Sequence, residues 1–130
     1  ARLINWNLKM TIKPMLLELG MGTSLRSGSY TKAACRAVQN ALWHNSINLA
    51  EVFGAQKSDM IITVEIACLR PNAVDLDAVV AEFPYGKVKA IAVSGGLDIP
   101  NAHKPDAYPA IITHTAIKVA LDLDHQEQTE

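Results

Sequence analysis

The sequence predicts an α+β domain with the order β-α-β-α-β-β, a four-stranded mixed sheet with its helices packed on one face. Three observations predict it. Short apolar segments rich in β-branched residues alternate with helical patterns. One helical stretch carries a complete apolar stripe. The last two strand patterns have no helix between them, which excludes a strictly alternating, doubly wound parallel sheet.

The first strand is "PMLLELG", residues 14 to 20, which begins at a proline and stops at a glycine. Ser29 then caps a helix in which Ala33, Ala34, Ala37, Val38, Ala41 and Leu42 recur at three and four. That helix ends near "HNS", residues 44 to 46, with His44 at its negative end, and "NLAEVFG" adds a turn or two closed by Gly54. "MIITVEIACL", residues 60 to 69, sets Ile62, Val64 and Ile66 on one face and Thr63 and Glu65 on the other. Asp75 caps a short helix with Leu76, Val79, Val80 and Phe83 inward, and "KVKAIAVSGG", residues 87 to 96, is the third strand. Residues 98 to 109 hold three prolines and little to bury, so they read as a long loop of the lid or binding kind. The final strand alternates Ile111, Thr113, Thr115, Ile117, Val119 and Leu121 on one face.

At 130 residues the chain forms one domain, long enough to bury roughly two thirds of the surface of its unfolded form. Residues 10 to 124 are assigned to it. "ARLINWNLK", residues 1 to 9, lacks periodicity and a cap and precedes a natural-looking start at Met10, so it reads as a non-native or disordered extension. Residues 125 to 130 read as a frayed tail. A net charge of −1 with 49% apolar and 19% charged residues argues against nucleic acid as a partner. No apolar run reaches a membrane span and no export signal stands out, so the expectation is a cytoplasmic protein without a membrane partner. Cys35 and Cys68 lack the spacing of a metal or redox pair and read as small buried thiols.

"GMGTSLRSGSYTKAA", residues 20 to 34, is the first candidate site. Backbone amides between a strand and a helix N-terminus favour an anion. The dinucleotide pattern fails at Leu25, and the phosphate loop is absent. What remains is Gly20 and Gly22, which permit close approach, then Thr23, Ser24, Arg26 and Ser27, with Lys32 in the first helical turn. Arg26 suits two parallel bonds to a carboxylate or phosphate. The alternative is a tight strand-to-helix turn with Arg26 solvated.

The second candidate is Ser94-Gly95-Gly96. A serine at a strand end can act as nucleophile, the following amides as an oxyanion hole and a lysine such as Lys32 as base. A turn that needs two glycines explains the same residues. His103 joins the site from the proline-rich loop, where Asp98 and Asp106 are its acidic neighbours. No two histidines sit at ligand spacing, so no metal and no other cofactor is expected. Glu18 and Glu65 are mid-strand carboxylates that need partners, and with Thr63 they are expected on the uncovered sheet face. That face also holds enough apolar residues to suit a subunit interface.

"GMGTSLRS", "YTKAA", "WHNS" and "SGGLDIP" resemble a family of bacterial and plant proteins of about this length with no assigned activity. Its signature is Gly-x-Gly-x-Asp-x-His-Gly, followed by a Tyr-Thr-Lys-Ala-Ala helix start. Gly20, Gly22, Lys32 and Asn45 match it, whereas Ser24, Arg26 and Ser27 replace the aspartate, histidine and glycine. The replacements remove an acid–base pair and favour anion binding. More distantly, the strand order is similar to the trimeric fold of small chorismate mutases and YjgF-type proteins, and "SGG" to segments of ring-opening amidohydrolases with serine–lysine pairs. That likeness implies a homotrimer with its ligand site between subunits. The sequence therefore leads to a small anionic or amide-bearing metabolite as ligand, with hydrolysis by Ser94 and Lys32 as a further step. A non-catalytic assembly or regulatory protein is the alternative.

Overall fold

The computed structural model describes residues 12–43 and 60–122. They form β1 (Ile12–Ser24), α1 (Tyr30–Trp43), β2 (Met60–Cys68), a 3-10 turn (Pro71–Ala73), α2 (Leu76–Val80), β3 (Lys87–Ser94), β4 (Leu97–Ile99) and β5 (Ala110–Asp122). The expected extension, the helix end at His44 and Asn45, the turn closed by Gly54 and the tail lie outside the described residues. The fold is α+β, a five-stranded sheet with both helices packed against it. The long strands lie in the order β1-β5-β2-β3, and β4 pairs with β5. β5 is antiparallel to β1 and β2, and β3 is parallel to β2, so β1, β2 and β3 run together and β5 runs against them.

Period-two alternation builds the core. Met60, Ile62, Val64, Ile66 and Cys68 of β2, and Ile111, Thr113, Thr115, Ile117 and Val119 of β5, are all buried toward the helices. Against them lies the alanine stripe of α1, in which Ala33, Ala34, Ala37, Val38 and Ala41 have no exposed surface. Ser29 caps α1 by accepting from the Lys32 amide at 3.0 Å. Asp75 caps α2 by accepting from the amides of Asp77 at 3.1 Å and Ala78 at 3.3 Å. No described helix is long and apolar enough to cross a membrane.

Three expectations need correction. β1 does not stop at Gly20 but continues through Gly22, Thr23 and Ser24. Both glycines face α1: a Cβ at Gly20 would lie 2.3 Å from the Ala37 carbonyl oxygen, and one at Gly22 would lie 2.1 Å from that of Ala33. They therefore let the helix backbone rest on the strand backbone. Second, a fifth strand, Leu97–Ile99, forms where a loop was expected, because these residues pair with Ile112, Ile111 and Ala110 before Pro100 ends the ladder. Third, Glu18 is not on the open face with Thr63 and Glu65. Its cross-strand partner is the buried Ile117, and it lines a small apolar cleft with Leu42, Met60 and Phe83.

Thr113 fixes the contact of helix and sheet. Its buried hydroxyl donates to the Ala33 carbonyl at 2.9 Å, with the Gly22 carbonyl at 3.3 Å. Gly22→Ala places a methyl against helix backbone on two sides, since the Ala37 nitrogen is 2.2 Å from that position. The expected cost is about 1–3 kcal/mol or more, read by denaturant unfolding. Unfolding like the parent would contradict this close-packing account.

Candidate functional site

The carboxyl ends of the three parallel strands gather at one end of the sheet, and the short segment after Ser24 brings the N-terminus of α1 there too. In open sheets this end is where ligands bind. α1 has no acidic residue in its first turn, so the positive end of its dipole is uncompensated from within the helix.

A cleft of about 360 Å³ opens there, lined by Ser24, Leu25, Arg26, Ser27, Lys32 and Arg36. It has three cationic residues and no acid in its wall. Arg36 is held by a bond from Nη1 to the Thr23 carbonyl at 2.7 Å. The buried Ser24 hydroxyl and that of Ser27 lie 2.8 Å apart, which ties the strand end to the loop. Arg26 and Leu25 also border a second cleft, formed with Asn101, His103, Lys104 and Tyr108. The Asn101 side chain accepts from the amides of His103 at 2.9 Å and Lys104 at 3.1 Å, shaping the loop into a turn.

A third cleft of about 270 Å³ shares Tyr108 with the second and includes Gly28, Tyr30, Arg70 and Asp98. Gly28 has φ of +65°, and a Cβ there would lie 2.4 Å from the Tyr108 ring, so the missing side chain lets the aromatic ring lie on the backbone. The Tyr30 hydroxyl donates to Asp98 Oδ2. Asp98 Oδ1 is buried without a hydrogen-bond partner among the described residues.

Burial raises the Tyr30 phenol above its ordinary value. The bond to Asp98 and its negative charge raise it further, while the Arg70 charge acts the other way. Burial likewise pushes the Cys68 thiol up, partly offset by the Arg70 backbone amide. Cys35, which is half-buried, is raised by burial and then by Glu82. Both thiols are therefore poor nucleophiles at neutral pH.

The sequence-derived residues divide. Arg26, Ser24, Ser27 and Lys32 meet at one cleft, and His103 lines the neighbouring one. Gly20 and Gly22 support α1 from within β1, and Thr23 contributes its carbonyl to Arg36. Ser94 is exposed on β3, at the opposite edge of the sheet from β1. Three strand spacings of about 4.8 Å place roughly 14 Å of sheet between those edges. α1, which carries Lys32, packs over β1 and β5, and no contact between Ser94 and Lys32 is seen among the described residues. The Gly95 amide donates to the Cys68 carbonyl at 2.9 Å and so is already engaged. Gly96, with φ of +69°, turns the chain into β4 where a Cβ would meet the Ile112 carbonyl oxygen at 2.4 Å. Among the described residues no group of three or more histidine, cysteine or acidic side chains is placed to hold a metal.

Tyr30, Arg36, Arg70 and Tyr108 escaped the sequence reading, and Asp98 entered it only as an acidic neighbour of His103. The signal for Asp98 was the reversed alternation of Leu97-Asp98-Ile99, in which the charged residue faces the helices and its apolar neighbours are exposed. The pair makes alkaline pH a probe. Stability carried by the protonated phenol is complete below the ordinary phenol value of about 10 and is lost as pH rises through the raised folded-state value. Tyr30→Phe should remove a phenol that ionises above the ordinary value from a tyrosinate titration and flatten the alkaline fall in stability. Loss of an ordinarily titrating phenol instead would contradict the assignment.

Comparison with known proteins places this arrangement. The chain is similar to a solved FtsZ-like protein of unknown function from Nostoc punctiforme PCC 73102, with a TM-score of 0.77 and 30% identity over 85% of this chain and 97% of that one. The comparison with curated proteins returned no match. Residues 14–119 match the family model Lin0512_fam, described as a conserved hypothetical protein, and the chain belongs to that family.

Proposed function

We propose that the protein binds a small anion, a carboxylate or a phosphate, in the cleft of Arg26, Lys32 and Arg36. The observation that carries this reading is the convergence of three cations, without an acid in the wall, at the positive end of α1. Among the described residues no carboxylate pairs with any of the three. Clustered like charges repel, and an anion relieves that repulsion while accepting the free donors of the guanidinium forks. The reading is of binding: Ser94 and Lys32 lie toward opposite edges of the sheet, so a hydrolytic pair of these residues requires a second copy of the chain.

A second reading, assembly of several copies with a trimer expected, is favoured by the sheet face opposite the helices. Leu17, Leu19, Met21 and Ile91 on that face are 40–66% exposed, alongside Thr63, Glu65, Lys89 and Lys118. Four strands at about 4.8 Å and eight residues at about 3.3 Å give a footprint of about 500 Å². Exposed apolar residues rimmed by polar ones mark interaction sites. Leu19→Lys should shift sedimentation to a smaller species, and a monomeric parent would contradict the assembly reading.

Thermal unfolding tests the binding reading. Inorganic phosphate and small dicarboxylates should stabilise the protein by about 2.7 kcal/mol at a hundred times the dissociation constant. The effect should fade with added salt and be lost in Arg26→Ala and Lys32→Ala. Equal stabilisation in parent and variants, or none in the parent, would overturn it.

A further inference from the structure

The cleft lined by Gly28, Tyr30, Arg70, Asp98 and Tyr108 has its own chemistry. Asp98 lines it, and the buried Oδ1 of that carboxylate has no hydrogen-bond partner among the described residues. It also offers a donor group, Arg70, whose charge reaches the Tyr30 phenol and for whose side chain no hydrogen bond is seen among the described residues. The third component is flat: the Tyr108 ring, 64% exposed and seated on Gly28. Tyr30 occupies only the other Asp98 oxygen. A buried carboxylate oxygen without a donor is costly to keep, and a ligand N–H removes that cost.

An acceptor and a guanidinium beside an aromatic ring match a planar group that carries both N–H and C=O. A lone ammonium fits less well, because Arg70 offsets the carboxylate charge. A lone anion leaves Asp98 Oδ1 unsatisfied. The cleft of Asn101 and His103 shares Arg26 with the cationic cleft and Tyr108 with this one.

We propose that the Asp98–Arg70 cleft takes a planar amide or ureide group, N–H to Asp98 and C=O to Arg70, so that the full ligand is a small carboxylate or phosphate bearing an amide. This rests on the reading of the Arg26, Lys32 and Arg36 cleft as the anion site. Arg26 and Lys32 anchor the charged end, and Asp98 selects the amide end.

Matched probes test it. Succinamate, glutaramate and adipamate each have a methyl-ketone counterpart of the same length and charge, in which CONH₂ becomes COCH₃ and only the N–H donors disappear. Calorimetric titration of the full chain should show the amide of the best-fitting length binding at least about tenfold tighter than its ketone, the penalty of a buried acceptor left unpaired. Asp98→Ala, which leaves no acceptor, should erase that preference. Arg70→Ala should weaken amide and ketone together, since both keep the carbonyl. Equal affinity for the two partners in the parent, or a preference retained in Asp98→Ala, would overturn the proposal while leaving the anion site standing. Binding of neither partner, with Arg26→Ala indistinguishable from the parent, would overturn both readings. Should Asp98→Ala fail to fold, the amide-to-ketone ratio in the parent decides alone.

Discussion

Backbone contact between α1 and β1 is the constraint on which the rest of the molecule depends. Gly20 and Gly22 have no side chain to hold the helix away, and the helix answers with Ala33, Ala37 and Ala41. Thr113 then locks the layers from the middle of the sheet, with its hydroxyl on the Ala33 carbonyl and the Gly22 carbonyl alongside. Close approach of this kind is bought with conformational freedom, since glycine loses more entropy on folding than any other residue.

The contact has a functional consequence because of where it stops. β1 leaves the helix at Ser24, and α1 begins after five intervening residues, so Ser29, Tyr30, Lys32 and Arg36 are held at the carboxyl ends of β1, β2 and β3. The loop from Asn101 to Tyr108 returns to the same end, and Tyr108 lies on Gly28. Positive charge collects on one side of this end and the Asp98–Tyr30 pair on the other. The proposed site, with separate places for an anion and for a hydrogen-bonding group, rests on the packing of one helix on one strand.

Much of the fold was legible in the sequence, and the failures have a common cause. The stripe of α1, the Ser29 and Asp75 caps, and the alternation of β2 and β5 are local patterns, and they produced the elements expected. Gly20 reads as the end of a strand, and both glycines as part of a ligand loop, because their use as packing surface depends on a helix eleven or more residues away in the chain. β4 was hidden because three residues pair only once β5 is in place. Glu18 was assigned to the wrong face because its partner, Ile117, lies in the last strand. Within the candidate site, Arg26 and Lys32 stand out by local charge and helix position. Tyr30, Arg70 and Asp98 meet only through tertiary structure, and Ser94 and Lys32, joined by chemical analogy, stand on β3 and on α1.

The open sheet face and the cationic end are separate surfaces of one sheet, so assembly through the first leaves the second available. The central claim is that the cationic end holds an anion. An amide NMR titration of the full chain with inorganic phosphate tests it most directly. The account predicts saturable shifts concentrated on residues 24 to 36, including Arg26, Lys32 and Arg36, and weakened by added salt. Shifts spread over the open face or β3, or none at all, would contradict it.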